Sequence, residues 1–572
     1  MWRKTSSENR ELSLSKACCS YPTWFALLVT TLPLFSEAAI NPTPDAGTIL
    51  QQNMPESQPA LPSLGSEFNF TQPDTGRVPF SQPFRVKRIE LLGNTLIPSS
   101  VLMSLITYVE GQTLDLTQLN ELAGRLTDYY HQHGYPLSRA VIPEQSVRDG
   151  VVTLLILEAR YADVTLINNS QVRTVILQDG LKPLQTGQAI RQQDLDRSLL
   201  LMSDIPGVVI RATMKPGAAV GTSALQVRSE AAPAFTGNVA LDNFGSQFTG
   251  RTRLGASFNY NNPLHLGDVL SVNALNSGHG MTYGRLGYDI LLNRFGTRAG
   301  VSYSDLNYVL GDSLAALHSN GTAQVQSLWL RHPLQRSADS NIYGQIQYDH
   351  LMMRDLINND TLRSQRQLNN LTASLYGDNR DTWLGGGINN WSLGLTTGQV
   401  SLTDAATQLT DAATAKTQGT YAKWNTNLSR LQNISASNSL LLKLTAQWAM
   451  GNLDSSQKIS LGGPLGLRAY DTGSIVGDNA VLISSELRHS LGAVYQGQLS
   501  ASAFVDAAHV MVNASPWAAG SNQVQLYGTG LGLSWVSKDH LSVNASVALP
   551  LGPEQANLSH SPRAWITLTK NF

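Results

Sequence analysis

The sequence predicts a transmembrane β-barrel of about sixteen antiparallel strands, preceded by two small α+β modules of order β-α-α-β-β and by a short N-terminal helix. Three observations carry this. From Phe235 onward helical spacing gives way to alternation, with Leu254, Ala256, Phe258 and Tyr260 set against Arg253, Gly255, Ser257 and Asn259. Only 14% of residues are charged and 47 are glycine, where soluble proteins carry about 25% charge. The chain ends Ala564-Trp-Ile-Thr-Leu-Thr-Lys-Asn-Phe572, an alternating strand closed by an aromatic. The divisions expected are 1–38 leader, 39–83 helix and linker, 84–160 and 161–232 modules, and 233–572 barrel.

Trp24 to Phe35 is an apolar core of twelve residues behind Arg3, Lys4, Arg10 and Lys16, and Ser36-Glu-Ala38 fits a small-residue cleavage site. This is the pattern of a secretory leader cut near Ala38, because twelve residues do not cross a bilayer. Cys18 and Cys19 both precede that core, so the mature chain has no thiol chemistry. From Ala39 to Pro83 the chain is rich in Pro, Gln and Ser. Pro44 to Met54 reads as a helix with Thr43 or Asp45 as cap and Pro55 as stop. A helix so short needs a docking site, and the rest is an extended tether.

In the first module Arg85–Leu91 reads as a strand, Val101–Val109 and Leu116–His131 as helices, and Ser138–Ile142 and Val151–Leu157 as strands joined at Asp149-Gly150. The second repeats the order with Ala162–Ile167, Val172–Asp179, Asp194–Ser203, Pro206–Met214 and Ser223–Arg228. Two three-stranded sheets leave open edges able to accept an extended segment of another chain. His131 and His133 are not expected to bind metal, since residues two apart on a helix diverge.

Barrel segments of about 9–13 residues suit tilted membrane strands. Connections alternate in length. Short ones fall at 292–297, 378–383, 433–438 and 537–540, long ones at 305–320, 350–364, 399–418, 451–479, 509–522 and 550–562. An even strand count places both chain ends on the short-turn side, in the periplasm, within an outer membrane and its lipids. Phe572 is the terminal aromatic through which the barrel-assembly machinery is expected to engage the chain. The near copies Leu402–Gln408 and Leu409–Ala415 indicate a turn or two of helix in an external loop.

The longest connection holds Leu461-Gly-Gly-Pro-Leu-Gly-Leu-Arg-Ala-Tyr-Asp-Thr-Gly473, with four glycines and one proline among thirteen residues. It cannot be a regular strand or helix. Arg468 sits at its centre between Leu467 and Tyr470. In the strand from Gln498 to Val510, Leu499, Ala501, Ala503 and Val505 face lipid, which turns Ser500, Ser502, Phe504 and Asp506 inward; the same phase turns Glu486 and Arg488 inward. Two readings stay open. Arg468 is solvated outside, or the loop folds inward and Arg468 pairs with Asp506 as a latch, with Glu486 the rival partner.

Together with that loop, several stretches resemble the outer-membrane transporters of two-partner secretion, the TpsB family. They are His133–Gln145 with Asp149-Gly150, Leu199–Gly207, Lys215-Pro-Gly217, Asp242-Asn-Phe-Gly245, Gly250, Asn261-Asn-Pro-Leu264, Gly267-Asp268, Leu467-Arg-Ala-Tyr470 and Phe504-Val-Asp506. The resemblance implies a sixteen-stranded barrel, two POTRA modules that bind a secreted TpsA-type exoprotein unfolded in the periplasm, and an N-terminal helix plugging the pore. It also implies an inward loop whose Arg468 bonds Asp506. The loop motif spans Gly462, Gly463, Pro464, Leu467, Ala469, Tyr470 and Asp471, with Phe504, Glu486 and Arg488 facing the lumen near the latch; Ala469 stands where many members have glycine. The competing functions are a barrel-assembly insertase of the same superfamily and a diffusion channel. No enzyme, cofactor, metal or nucleic-acid role is expected. Ser455-Ser-Gln-Lys458 spells SxxK without the companion motifs of that chemistry, and Gly528-Thr-Gly-Leu-Gly532 is strand glycine with no helix behind it.

Overall fold

The computed structural model of the protein describes residues 43–53, 68–70 as backbone, 82–147, 149–358, 361–517, 520–553 and 558–572. The leader, its cleavage site, Cys18, Cys19 and the Pro55 stop lie outside the described residues.

Sixteen antiparallel strands close on themselves, from Phe235–Asp242 to Arg563–Asn571, which pair with each other across the seam. Phe572 and Gly237 exchange backbone hydrogen bonds of 3.0 Å each way there. Neighbouring residues take opposite faces. Val505, Val547 and Ile566 are exposed on the outside, whereas Phe504, Ala548 and Trp565 are buried within, the two-residue period that a lipid exterior imposes.

Eight barrel strands outrun the 9–13 residues expected, among them four successive ones. Asn320–Arg336, Ser340–Ile357, Leu362–Asp381 and Gly387–Leu402 run to 17, 18, 20 and 16 residues. The long connections expected at 305–320 and 350–364 shrink to 310–319 and 358–361, and the turn expected at 378–383 moves to 382–386. These hairpins continue past the lipid, where the outer face need not be apolar and alternation stops marking the strand. The duplicated stretch forms one helix, Ala405–Ala413, capped by Asp404.

In the first module Arg88–Leu92 lies parallel to Val151–Leu157, which pairs antiparallel with Arg139–Val141. The strand expected over Arg85–Leu91 breaks, because Val86 turns fully into the core and Phe84–Arg85 pairs instead with Thr113–Leu114. His131 and His133 contact the carbonyls of Ser138 and Tyr129. The second module departs from its expected three strands. Phe68–Phe70, from the stretch read as a free tether, adds a fourth strand parallel to Val208–Pro216 and covers part of that edge.

Glu158 ties the first module together at its junction with the second. It is buried and accepts the N–H groups of Thr95 and Leu96, both at 2.7 Å, and the Tyr130 hydroxyl at 3.0 Å. Burial pushes its carboxyl up, but hydrogen bonds from Thr95, Leu96 and Tyr130 outweigh it and hold the group below its ordinary range.

Two tests follow from these placements. A carboxyl with a depressed folded value stabilises fully above its unfolded pKa of about 4.3 and loses that contribution as pH falls through the folded value. The protection of the Thr95 and Leu96 amides against exchange, relative to the intrinsic rate at each pH, should therefore fall below about pH 4 in the full chain, and Glu158→Ala should remove about 1–3 kcal/mol of protection already at pH 7. Leu531→Arg, on the lipid face, should lower barrel stability in urea by about 2–4 kcal/mol, whereas Asn544→Arg, facing the lumen, should leave the midpoint near wild type.

A candidate gate in the barrel lumen

The connection from Met450 to Asp478 turns back into the barrel. Its glycines allow this. Gly463 has φ +109°, and a Cβ at Gly462 would stand 2.0 Å from the Asp471 carbonyl oxygen. The folded tip buries Leu461, Leu467, Ala469 and Tyr470 against Leu482, Phe504 and Leu526 of the wall. Pro464 borders a cavity of about 320 Å³ beside the tip, shared with Arg488, Ser502 and Trp565.

Arg468 lies at the centre of that contact. Its Nε and Nη2 donate to the two oxygens of Asp506 at 2.9 and 2.7 Å, and Nη2 also reaches Ser484 Oγ at 3.0 Å. Nη1 forms an ion pair with Glu486, whose other oxygen accepts from Arg488 Nε at 2.8 Å. Asp506 and Glu486, set out as alternatives in the sequence, are thus engaged together. The guanidinium carbon sits 3.4 Å from the centre of the Phe504 ring, and Trp565 Nε1 donates to the Arg468 carbonyl at 2.7 Å. Asp471 fastens the other flank through Arg251 at 2.6 Å and Arg563 at 2.8 Å.

Ala469 fits because of a glycine elsewhere. A Cβ on Gly528 would stand 2.6 Å from the Ala469 methyl, so the wall supplies the space that the loop does not.

The Ala46–Asn53 helix lies inside the lumen, with Ala46, Ile49 and Leu50 buried against inward residues such as Leu306, Met353 and Leu368. Asp45 is its cap, accepting from Thr48 N at 2.9 Å. Arg366, unmarked by any motif, gathers three carboxylates: Asp45 at 2.6 Å, Asp355 at 3.3 Å and Asp454 at 3.3 Å. At the other end Asn53 accepts from Arg253 at 3.0 Å. The loop holds the helix too. Ser455 Oγ donates to Asp45 at 2.7 Å, and a Cβ on Gly47 would stand 2.5 Å from that oxygen. The SxxK stretch is a docking surface for the helix. Inward phase was the available signal for Asp355 and Arg366, since Met353 and Leu368 two residues away are buried inside.

A closed barrel with an apolar exterior, two small modules beneath it and a lumen filled by its own loop and helix defines a polypeptide-transport barrel. A model of the haemolysin secretion/activation protein ShlB/FhaC/HecB family matches residues 221–535, and one of the ShlB-type POTRA domain matches 84–159. The chain belongs to that family of outer-membrane transporters, which move an exoprotein partner across the outer membrane with their POTRA modules in the periplasm. The heme/hemopexin transporter protein HuxB of Haemophilus influenzae strain 86-028NP is 26% identical over 545 residues, 92% of this chain and 95% of that protein. The outer membrane transporter CdiB of Escherichia coli is 25% identical over 550 residues, 92% and 90% of the two chains. The solved structure of CdiB from Escherichia coli shares the fold, with a TM-score of 0.68 at 22% identity over 88% of this chain and 93% of that one.

Gly528→Val should evict the loop tip without harming the strand, whose ladder accepts valine. Single-channel recordings on the purified variant should show more frequent openings than the wild-type chain.

Proposed function

We propose that two docked pieces close this transporter at rest, the inward loop held by Arg468 and the Ala46–Asn53 helix held by Arg366, and that both leave when the partner passes. The observation that carries the reading is Arg468 bridging Asp506 and Glu486 over the Phe504 ring. Such a cation is held firmly while both carboxylates stay in place, yet no covalent bond prevents its release. The latch residues are Arg468 and Asp506, with Glu486, Arg488 and Phe504 around them. Gly462, Gly463, Pro464, Leu467, Ala469, Tyr470 and Asp471 shape the loop that presents the cation.

The cargo is a large exoprotein that crosses unfolded, bound first by the modules, with its folding outside as the driving force. Extended-segment capture suits strands at sheet edges, such as Arg88–Leu92. The assembly machinery reads the final strand through Phe572 when the barrel is inserted.

Arg468→Ala leaves Asp506 and Glu486 facing each other without their shared cation, a loss of about 3–5 kcal/mol in loop docking. The closed-to-open ratio should fall by at least about 100-fold. Planar-bilayer recordings should show more openings than wild type, and export of the exoprotein partner should drop although the barrel still resists unfolding in cold detergent. Unchanged export and unchanged conductance would reject the latch.

A further inference from the structure

The second module docks on the barrel through a charge pair whose arginine is buried in the joint. Arg336, at the end of the Asn320–Arg336 strand, has a side chain only 2% exposed. Its Nε and Nη2 donate to the two oxygens of Asp204, each at 2.8 Å. Its Nη1 donates to Asn341 Oδ1 at 2.8 Å, and Asn341 Nδ2 donates to Asp378 at 3.0 Å. Asn341 and Asp378 are themselves buried. A chain of hydrogen bonds therefore runs from the module into three adjacent barrel strands.

The position of Asp204 is informative. It caps the C-terminus of the Gln192–Ser203 helix, the end where free carbonyls disfavour an anion. An aspartate gains nothing there from its own helix, so its stabilisation comes from the barrel's arginine. The rest of the joint is tight. Arg197 Nη2 donates to the Pro333 carbonyl at 3.1 Å. Cβ atoms at Gly296 and Gly267 would stand 2.7 Å from Leu201 and 2.8 Å from Ile205. Leu291 of the barrel packs into the module's own core.

We propose that Asp204 is a positioning residue for transport: by gripping Arg336 it holds the second module in register under the pore mouth, so that a segment captured on the modules is delivered into the lumen. Its contribution lies in handover, after capture. An interface held by a two-pronged arginine–carboxylate fork has one orientation, whereas the apolar contacts around it would tolerate sliding.

The test separates capture from delivery in the full-length transporter. Asp204→Asn should lower the rate at which a co-expressed exoprotein partner appears outside by at least ten-fold, while its Kd for the purified transporter stays within two-fold of wild type. Spin labels on the module and the barrel should show a broadened distance distribution. A Leu201→Cys/Pro333→Cys staple, added to Asp204→Asn, should restore export when oxidised and lose it again on reduction. Export at the wild-type rate, affinity falling in step with export, or a formed staple that restores nothing would each overturn the proposal.

Discussion

The structure turns on a cation that cannot be left alone. Arg468 is drawn into a lumen wall where Asp506 is wholly buried, and each is tolerable there only because the other is present. A buried ion pair of this kind stabilises little in net terms, since desolvation consumes most of the Coulomb attraction. What it supplies is register. Burial of Leu467 and Tyr470 contributes about 1.5–3 kcal/mol apiece and would hold the loop in several neighbouring positions. The fork of Arg468 on Asp506, with Ser484 and Glu486 at its sides, selects one of them.

The loop serves two docks at once, which makes the lumen a coupled system. Its tip seats Arg468 on the wall, and its earlier turn, Ser455–Gln457, seats the helix through Ser455 and the Ser456 carbonyl. Gly473, near the tip, abuts Gln52 of the helix so closely that a Cβ would overlap it. A shift of the loop therefore disturbs both contacts, and departure of the helix removes packing from the loop. Arg366 adds an electrostatic element, because one guanidinium serves three carboxylates contributed by helix, wall and loop. Removing the helix takes away one of three anions and leaves the other two paired with Arg366, so the wall keeps a charge partner when the lumen opens.

Much of the fold was legible because lipid enforces a period of two. That period alone turned Glu486, Phe504 and Asp506 inward, and the strand count and closure followed from it. It stopped being legible where lipid stops: residues 350–357 and 362–364 are strand, but above the bilayer neither face must be apolar. The Phe68–Phe70 strand escaped notice because three residues carry no period, and its hydrogen bonds are to a strand 144 positions away in register, Phe68 opposite Ala212. The Arg366 cluster was hidden for a similar reason. Its partners come from positions 45, 355 and 454, and no local spacing announces a convergence made by barrel closure.

The Ala469 position shows why a motif is best read with its receptor. Taken in the loop alone, alanine in a place of close backbone approach looks like a loosened latch. On the facing strand, Gly528 supplies the missing volume, and Gly530 does the same for Phe504, whose ring would lie 2.4 Å from a Cβ there. Those glycines had been legible only as strand glycine, a weak choice for β-structure on its own terms. Their cost to the strand is offset by the ring and methyl they admit. The constraint is on the summed volume across the interface, so either side can carry the small residue, and the charge pair behind it keeps its geometry.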